Sequence, residues 1–150
     1  MGWKSNQVQR LSVGLLTLFI IASLDASQNS VNQSIKKHQS TFENVAMDIW
    51  DLAEVGYQEY KSSEILINVL KKNGFKITNG VADIPTAFIA EYSNDGPVIG
   101  ILGEYDALPG VMQTSSPFKE TRADRIAGHA CGHHMFGAAS AWAAVTIKEW

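Results

Sequence analysis

With 150 residues, 45% hydrophobic and 18% charged, the chain has room for one modest domain and the balance of a globular one, which excludes wholesale disorder. Twelve basic and fifteen acidic residues leave a net charge of −3 with no basic stripe, which argues against a nucleic-acid-binding surface. A single cysteine excludes an internal disulfide framework.

The N-terminus has the grammar of an export signal. Lys4 and Arg10 precede Leu11 to Leu24, fourteen positions without a charge, and small residues follow at Ala26 and Ser27. A membrane span needs roughly 20 apolar residues. The run therefore fits a signal peptide over 1–26 better than a stable span, with an uncleaved anchor or a buried strand as the other readings. Secretion or a periplasmic location follows as the expectation. Residues 27–34 are polar and are expected to form a leader, and Asn32-Gln33-Ser34 is a glycosylation sequon in a eukaryotic secretory route.

From Ile35 a helical period begins: Ile35, Phe42, Val45, Ala46, Ile49, Leu52 and Ala53 share one face, with Ser34 as candidate N-cap. Gly56 interrupts it. A second helix is expected over 58–73, with Ile65, Leu66, Val69 and Leu70 inward. Lys71 and Lys72 suit its last turn and Gly74 its C′ position.

The period then shortens. Residues 75–78, 86–92 and 98–104 read as strands, and Ser93-Asn94-Asp95-Gly96 is turn chemistry that predicts a hairpin between the last two. VIGIL at 98–102 is apolar at nearly every position and predicts a strand buried on both faces. Residues 107–128 have no clear period. An alanine-rich helix is expected from His134 to Trp150, with Phe136, Ala139, Ala143 and Ile147 inward. The fold class is α/β, a mixed sheet flanked by helices.

Two constellations carry chemistry. Gly128-His129-Ala130-Cys131-Gly132-His133-His134 holds the only cysteine and three of the four histidines. Thiolate and imidazole are favoured ligands of zinc and similar ions. Glycine permits the tight turn between Cys131 and His133, and a following helix N-terminus stabilises a thiolate. A buried free cysteine beside surface histidines and a Cys-His nucleophile are the competing readings. The second constellation, Gly103-Glu104-Tyr105-Asp106-Ala107-Leu108-Pro109, follows a strand end, where α/β sites form. Its carboxylates at i and i+2 can serve a metal or orient its histidine ligand. An ordinary acidic loop is the alternative.

Together WDLAEVGYQEYKSSE, TAFIAEY, PVIGILGEYDALPG and GHACGHHMFGAAS resemble the metal-dependent amidohydrolase and metallopeptidase superfamily of aminoacylases, hippurate hydrolases and carboxypeptidases. Within it they look like the branch of aminobenzoyl-glutamate utilisation protein B. The resemblance covers roughly residues 45 to 150. It implies a zinc-peptidase-like catalytic domain of which 35–150 would be the N-terminal portion. Cys131 and His133 are implied as metal ligands, with Asp106 as the candidate catalytic residue beside them. Glu104, His129 and His134 are implied only as neighbours of the centre. Glu104 stands where many relatives have histidine or aspartate, and His134 where they often have Asp or Asn. The implied cofactor is a divalent ion, zinc or manganese. The implied substrate is a small amide: an N-acyl amino acid, an aminobenzoyl-glutamate-like compound or a dipeptide. Relatives are more than twice as long. They oligomerise through a domain that has no counterpart here and draw a general-base glutamate and further ligands from beyond the cysteine-histidine motif. The resemblance therefore implies an incomplete, inactive piece of a catalytic domain. A non-catalytic secreted module binding metal or a partner is the alternative function.

Overall fold

The computed structural model describes the backbone of residues 3–93 and 95–150 and the side chains from residue 26 onward. Helix α1 spans Trp3–Leu52 as one continuous helix. The side chains of the expected export signal, Lys4, Arg10 and the Leu11–Leu24 run among them, lie outside the described residues. Residues 27–34 continue α1 rather than starting it. No glycine or proline occurs between Leu15 and Val55, so nothing breaks the hydrogen-bond ladder ahead of Ser34. Ser34 is accordingly a buried mid-helix residue and not an N-cap; its hydroxyl donates to Glu149 Oε2 at 2.6 Å. Among the described residues no helix is long and apolar enough to cross a membrane.

Helix α1 stops where Ala53 takes a left-handed φ of 46°, ahead of Gly56. The Glu54 carboxylate then accepts the amides of Lys61 and Ser62 at 3.2 and 2.8 Å and the Ser62 hydroxyl at 2.8 Å. These are orphan donors at the start of α2, Tyr60–Lys72, and an anion is favourable there. At the other end Gly74 has φ 83°. The Phe75 amide reaches the Leu70 carbonyl at 3.1 Å and the Gly74 amide that of Lys71 at 2.9 Å. This is the paired C-terminal closure for which a glycine at C′ is suited, as its sequence predicts.

Strand β1, Lys76–Asn79, pairs antiparallel with β2, Phe88–Glu91, with Lys76 opposite Glu91 and Asn79 opposite Phe88. Two-residue strands β3, Leu108–Pro109, and β4, Ala127–Gly128, form a second antiparallel pair. The class is α/β, but the expected hairpin between 86–92 and 98–104 does not form. The first of those segments pairs with the 76–79 strand instead. Asn94, in the expected turn, lies outside the described residues. The 98–104 run is extended without a strand neighbour among the described residues, and Val98 and Leu102 are 100% and 73% exposed. A pattern suited to burial on both faces produces a strand only where neighbouring strands accept its backbone groups.

Helix α3, His133–Glu149, closes the fold. Phe42, Val45 and Ile49 of α1, Leu66, Val69 and Leu70 of α2, and Ala138, Ala141 and Val145 of α3 make the core together with Phe75. The inward face of α3 is therefore not the expected one. Phe136, Ala139, Ala143 and Ile147 are exposed, whereas His134, Gly137, Ala138, Ala141 and Val145 are buried. Small residues let α3 approach α1 closely, which brings the Trp142 and Phe42 rings into a stack at 5.8 Å. An alanine-rich helix is apolar on several faces, and close packing selects the one with the least side-chain volume. The loop 110–126 is tied back to α1. Arg122 and Arg125 lie over the Trp50 ring at 5.4 and 5.3 Å and reach Asp51 at 3.1 and 3.4 Å.

Candidate metal centre

The first wall of the centre is the extended segment entering β3. Glu104 and Asp106 both reach His133 while the Tyr105 hydroxyl reaches Thr86, so alternate side chains of this segment share a side. The segment is registered at its end: the Ala107 amide donates to the Glu54 carbonyl at 2.7 Å, and Val55 and Ala107 form a parallel bridge. The second wall is the start of α3. Gly128 must be glycine, because a Cβ there would stand 2.2 Å from the Val111 carbonyl oxygen. Gly132, with φ 82°, occupies the left-handed region as N-cap of α3. The turn it makes delivers His133 toward the two carboxylates.

His133 lies between them. Its Nδ1 is 2.8 Å from Asp106 Oδ1 and its Nε2 is 3.0 Å from Glu104 Oε2. One ligand atom from each of Glu104, Asp106 and His133 lies within 4.8 Å of the others, and no further group of this kind occurs among the described residues. A neutral imidazole has a single N–H donor. With Asp106 accepting that proton, the neutral ring turns its Nε2 lone pair toward the Glu104 carboxylate, whereas the protonated ring donates to both carboxylates. In the neutral form that lone pair and the carboxylate can face a cation together, and imidazole with carboxylate oxygen is a donor set that suits zinc or manganese. A carboxylate behind a ligating histidine is also the usual way its tautomer is fixed. The residues present fit a divalent ion.

The other expected residues are distributed around this group. Cys131 is exposed and stands outside it, two residues before His133. His129 is buried; its Nε2–H donates to the Ile49 carbonyl at 3.1 Å, which leaves Nδ1 as an acceptor. His134 is buried against it, ring centroids 4.9 Å apart, and both Nδ1 atoms lack a hydrogen-bond partner among the described residues. Burial pushes the pKa of both imidazoles down, and for His134 the neighbouring His129 adds to the effect. These two rings underlie the centre as a neutral pair. Glu104, expected as a neighbour of the centre, is one of the three residues whose ligand atoms lie together. Its i, i+2 relation to Asp106 was the available signal, and its departure from the family pattern pointed away from it.

Sequence patterns did not single out the support behind Tyr105. Its hydroxyl donates to the Thr86 carbonyl. The Thr86 hydroxyl in turn donates to Glu59 Oε2 at 2.6 Å, and Thr86 and Glu59 are both buried. Burial, and then the Glu59 charge, push the Tyr105 phenol up to about 12. A depression of about 350 Å³ on the outer side of α2, lined by Tyr60, Lys71 and Pro85 among others, contains none of the expected site residues.

No protein-family model matches the chain. Curated relatives do. The chain is 37% identical to one of the subunits of the p-aminobenzoyl-glutamate hydrolase of Escherichia coli (strain K12) over 123 residues, 80% of this chain and 25% of that protein. It is 32% identical to N-acetylcysteine deacetylase of Bacillus subtilis (strain 168) over 71% of this chain and 28% of that protein. It is 26% identical to the hippurate hydrolase of Campylobacter jejuni over 63% of this chain and 24% of that protein. The chain thus spans about a quarter of the length of these relatives.

Proposed function

We propose, since the chain belongs to the metal-dependent amidohydrolase and metallopeptidase superfamily, that it carries part of a divalent-metal centre for hydrolysing an amide bond. The observation that carries the reading is His133 held between Asp106 and Glu104 at 2.8 and 3.0 Å. Nε2 of His133 and the Glu104 carboxylate would hold the ion, with Cys131 as the further donor offered by the motif. Asp106 holds the Nδ1 proton of His133 and so fixes which nitrogen faces the ion. A divalent ion bound there would supply Lewis-acid polarisation of the scissile carbonyl and would lower the pKa of a bound water. For the whole protein the substrate class is a small amide of an amino acid: an N-acyl amino acid, an aminobenzoyl-glutamate-like compound or a dipeptide.

In this reading the Glu104 carboxylate would hold the ion and the Asp106 carboxylate would hold His133, so neither is assigned as the base for an attacking water. We therefore expect the 150 residues to bind metal without turning over. Calorimetric titration of the purified chain with zinc and manganese tests the reading. Binding should weaken by about 10-fold or more in His133→Ala and in Glu104→Gln, and zinc should protect Cys131 from alkylation. A chain that binds neither metal overturns the assignment. Turnover of an N-acyl amino acid or aminobenzoyl-glutamate, abolished by a chelator and by Cys131→Ala, would reveal a complete site instead. Export belongs to the same proposal: cleavage after Ala26 leaves Ser27 as the first residue, and N-terminal sequencing of the expressed protein reads it directly.

A further inference from the structure

The carboxylates of the metal group stand on a stretch of chain that has little of its own to hold it in place. Among the described residues no backbone hydrogen bond fixes residues 98–106; the first is that of the Ala107 amide to Glu54. Upstream, the Leu102 carbonyl accepts the Ser140 hydroxyl at 2.7 Å. Between these two points the segment depends on Tyr105. Its ring packs against the helical core and lies 6.1 Å from that of Phe88. Its hydroxyl ends on the Thr86 carbonyl, in the connection leading to β2. Thr86 is anchored by its bond to the buried Glu59.

The same stretch is gauged from the other side by α3. A Cβ on Gly137 would stand 2.8 Å from the Glu104 carbonyl oxygen and 3.1 Å from Tyr105 Cβ. Gly137 lies one helical turn from His133. The separation between the carboxylates and the imidazole is thus set where Tyr105 is pressed between Gly137 and the Thr86–Glu59 anchor. A tyrosine serving the core alone would satisfy its hydroxyl with any acceptor. This one ties the residue between Glu104 and Asp106 to a separate element of the fold.

We propose that Tyr105 is the positioning residue of the metal group, setting the distance of Glu104 and Asp106 from His133 through its bond to Thr86 and its packing on Gly137. The proposal rests on reading Glu104 and His133 as metal donors, with Asp106 orienting His133. Side chains that orient metal ligands from behind typically change affinity by about 10- to 100-fold.

The test is zinc affinity by calorimetry together with the visible absorption spectrum of the cobalt(II)-loaded chain, which reports ligand geometry. Tyr105→Phe keeps the ring and removes only the hydroxyl. We expect about 10-fold weaker zinc binding and an altered cobalt spectrum. Ser34→Ala, which removes a contact to Glu149 away from the centre, should lower the unfolding midpoint without changing either readout. Gly137→Ala is the second variant. It favours helix yet forces the 104–105 backbone outward, so it should weaken zinc binding with α3 intact, even if Tyr105→Phe does not fold. Wild-type affinity and spectrum in a folded Tyr105→Phe, or in Gly137→Ala, overturn the positioning role and leave the metal assignment standing. A wild-type chain that binds no metal overturns both.

Discussion

Asp106, His133 and Glu104 form a sequence in which each residue constrains the next. The Asp106 carboxylate lies 2.8 Å from His133 Nδ1 and the Glu104 carboxylate 3.0 Å from Nε2, so when Asp106 takes the single proton of the neutral ring, Nε2 faces Glu104 as an acceptor. The i, i+2 spacing of the two acids was legible in the sequence. Their convergence on one histidine was not, because it depends on where α3 starts. Tyr105 supplies a pH test at the same scale. Its folded pKa is raised from 10.0 to about 12, by burial first and by Glu59 second. A phenol whose folded pKa exceeds its unfolded value stabilises the fold fully below the unfolded value, and the contribution is lost as pH rises through the folded one. Stability should therefore decline between about pH 10 and 12, and Tyr105→Phe should flatten that decline. Urea unfolding across the alkaline range measures it; equal slopes in the two proteins would show that the phenol is not the group responsible.

At the scale of elements the decisive contact is α1 against α3. Glu149, at the end of α3, accepts from Ser34 at 2.6 Å, Lys37 at 2.7 Å and His38 at 2.9 Å, all on α1. The Lys37 bond is the largest cause and Ser34 the next in holding its carboxyl down at about 2, against an ordinary 4.5. A carboxylate with a depressed folded pKa contributes stability above its unfolded value and loses it as pH falls through the folded one. The thermal midpoint should therefore fall between about pH 4.5 and 2, and less steeply in Glu149→Gln. An identical acid profile in the variant would mean that the helices are held by their apolar contact alone. That contact has its own test. Ile49 is fully buried between the helices, and truncation of such a residue to alanine costs about 2–5 kcal/mol. Urea unfolding of Ile49→Ala should show a loss in this range; a loss below about 1 kcal/mol would be inconsistent with its place in the core.

The molecule as a whole leaves a broad apolar surface open. Val98, Ile99, Ile101 and Leu102 project from the unpaired segment, and Met135, Phe136 and Ile147 from the outer face of α3. The Ser140 hydroxyl joins that segment to α3, so the two sets of side chains belong to neighbouring parts of the surface. Contiguous apolar patches beyond a few hundred Å² are uncommon on monomers and drive association. The purified chain should self-associate at micromolar concentration and bind an apolar dye. Leu102→Lys combined with Phe136→Lys should reduce both effects. Sedimentation velocity distinguishes the outcomes, and a monomeric wild-type chain that ignores the dye would contradict the expectation.

Local chemistry determined much of this protein without reference to the fold. The Lys71-Lys72-Asn73-Gly74 ending of α2 reads correctly because a helix end is settled within a few residues, by a glycine able to take positive φ. The α/β class, the 76–79 and 88–91 strands and the inward set of α2 likewise follow from short-range periodicity. That the 104–106 and 129–134 segments could serve a metal is read from residue type, which leaves an acidic loop and a free cysteine beside histidines as alternatives. Tertiary structure decided what depends on neighbours. Strand pairing joined β2 to β1 rather than to the 98–104 run, because an apolar run specifies burial but not a partner. Close packing chose Ala138, Ala141 and Val145 over Phe136 and Ile147 for the inside of a helix that is apolar on several faces. The partnership of Glu104 with His133, and the Tyr105 anchor beneath it, exist only where α3 meets the 103–106 segment. No spacing along the chain encodes a distance across two elements.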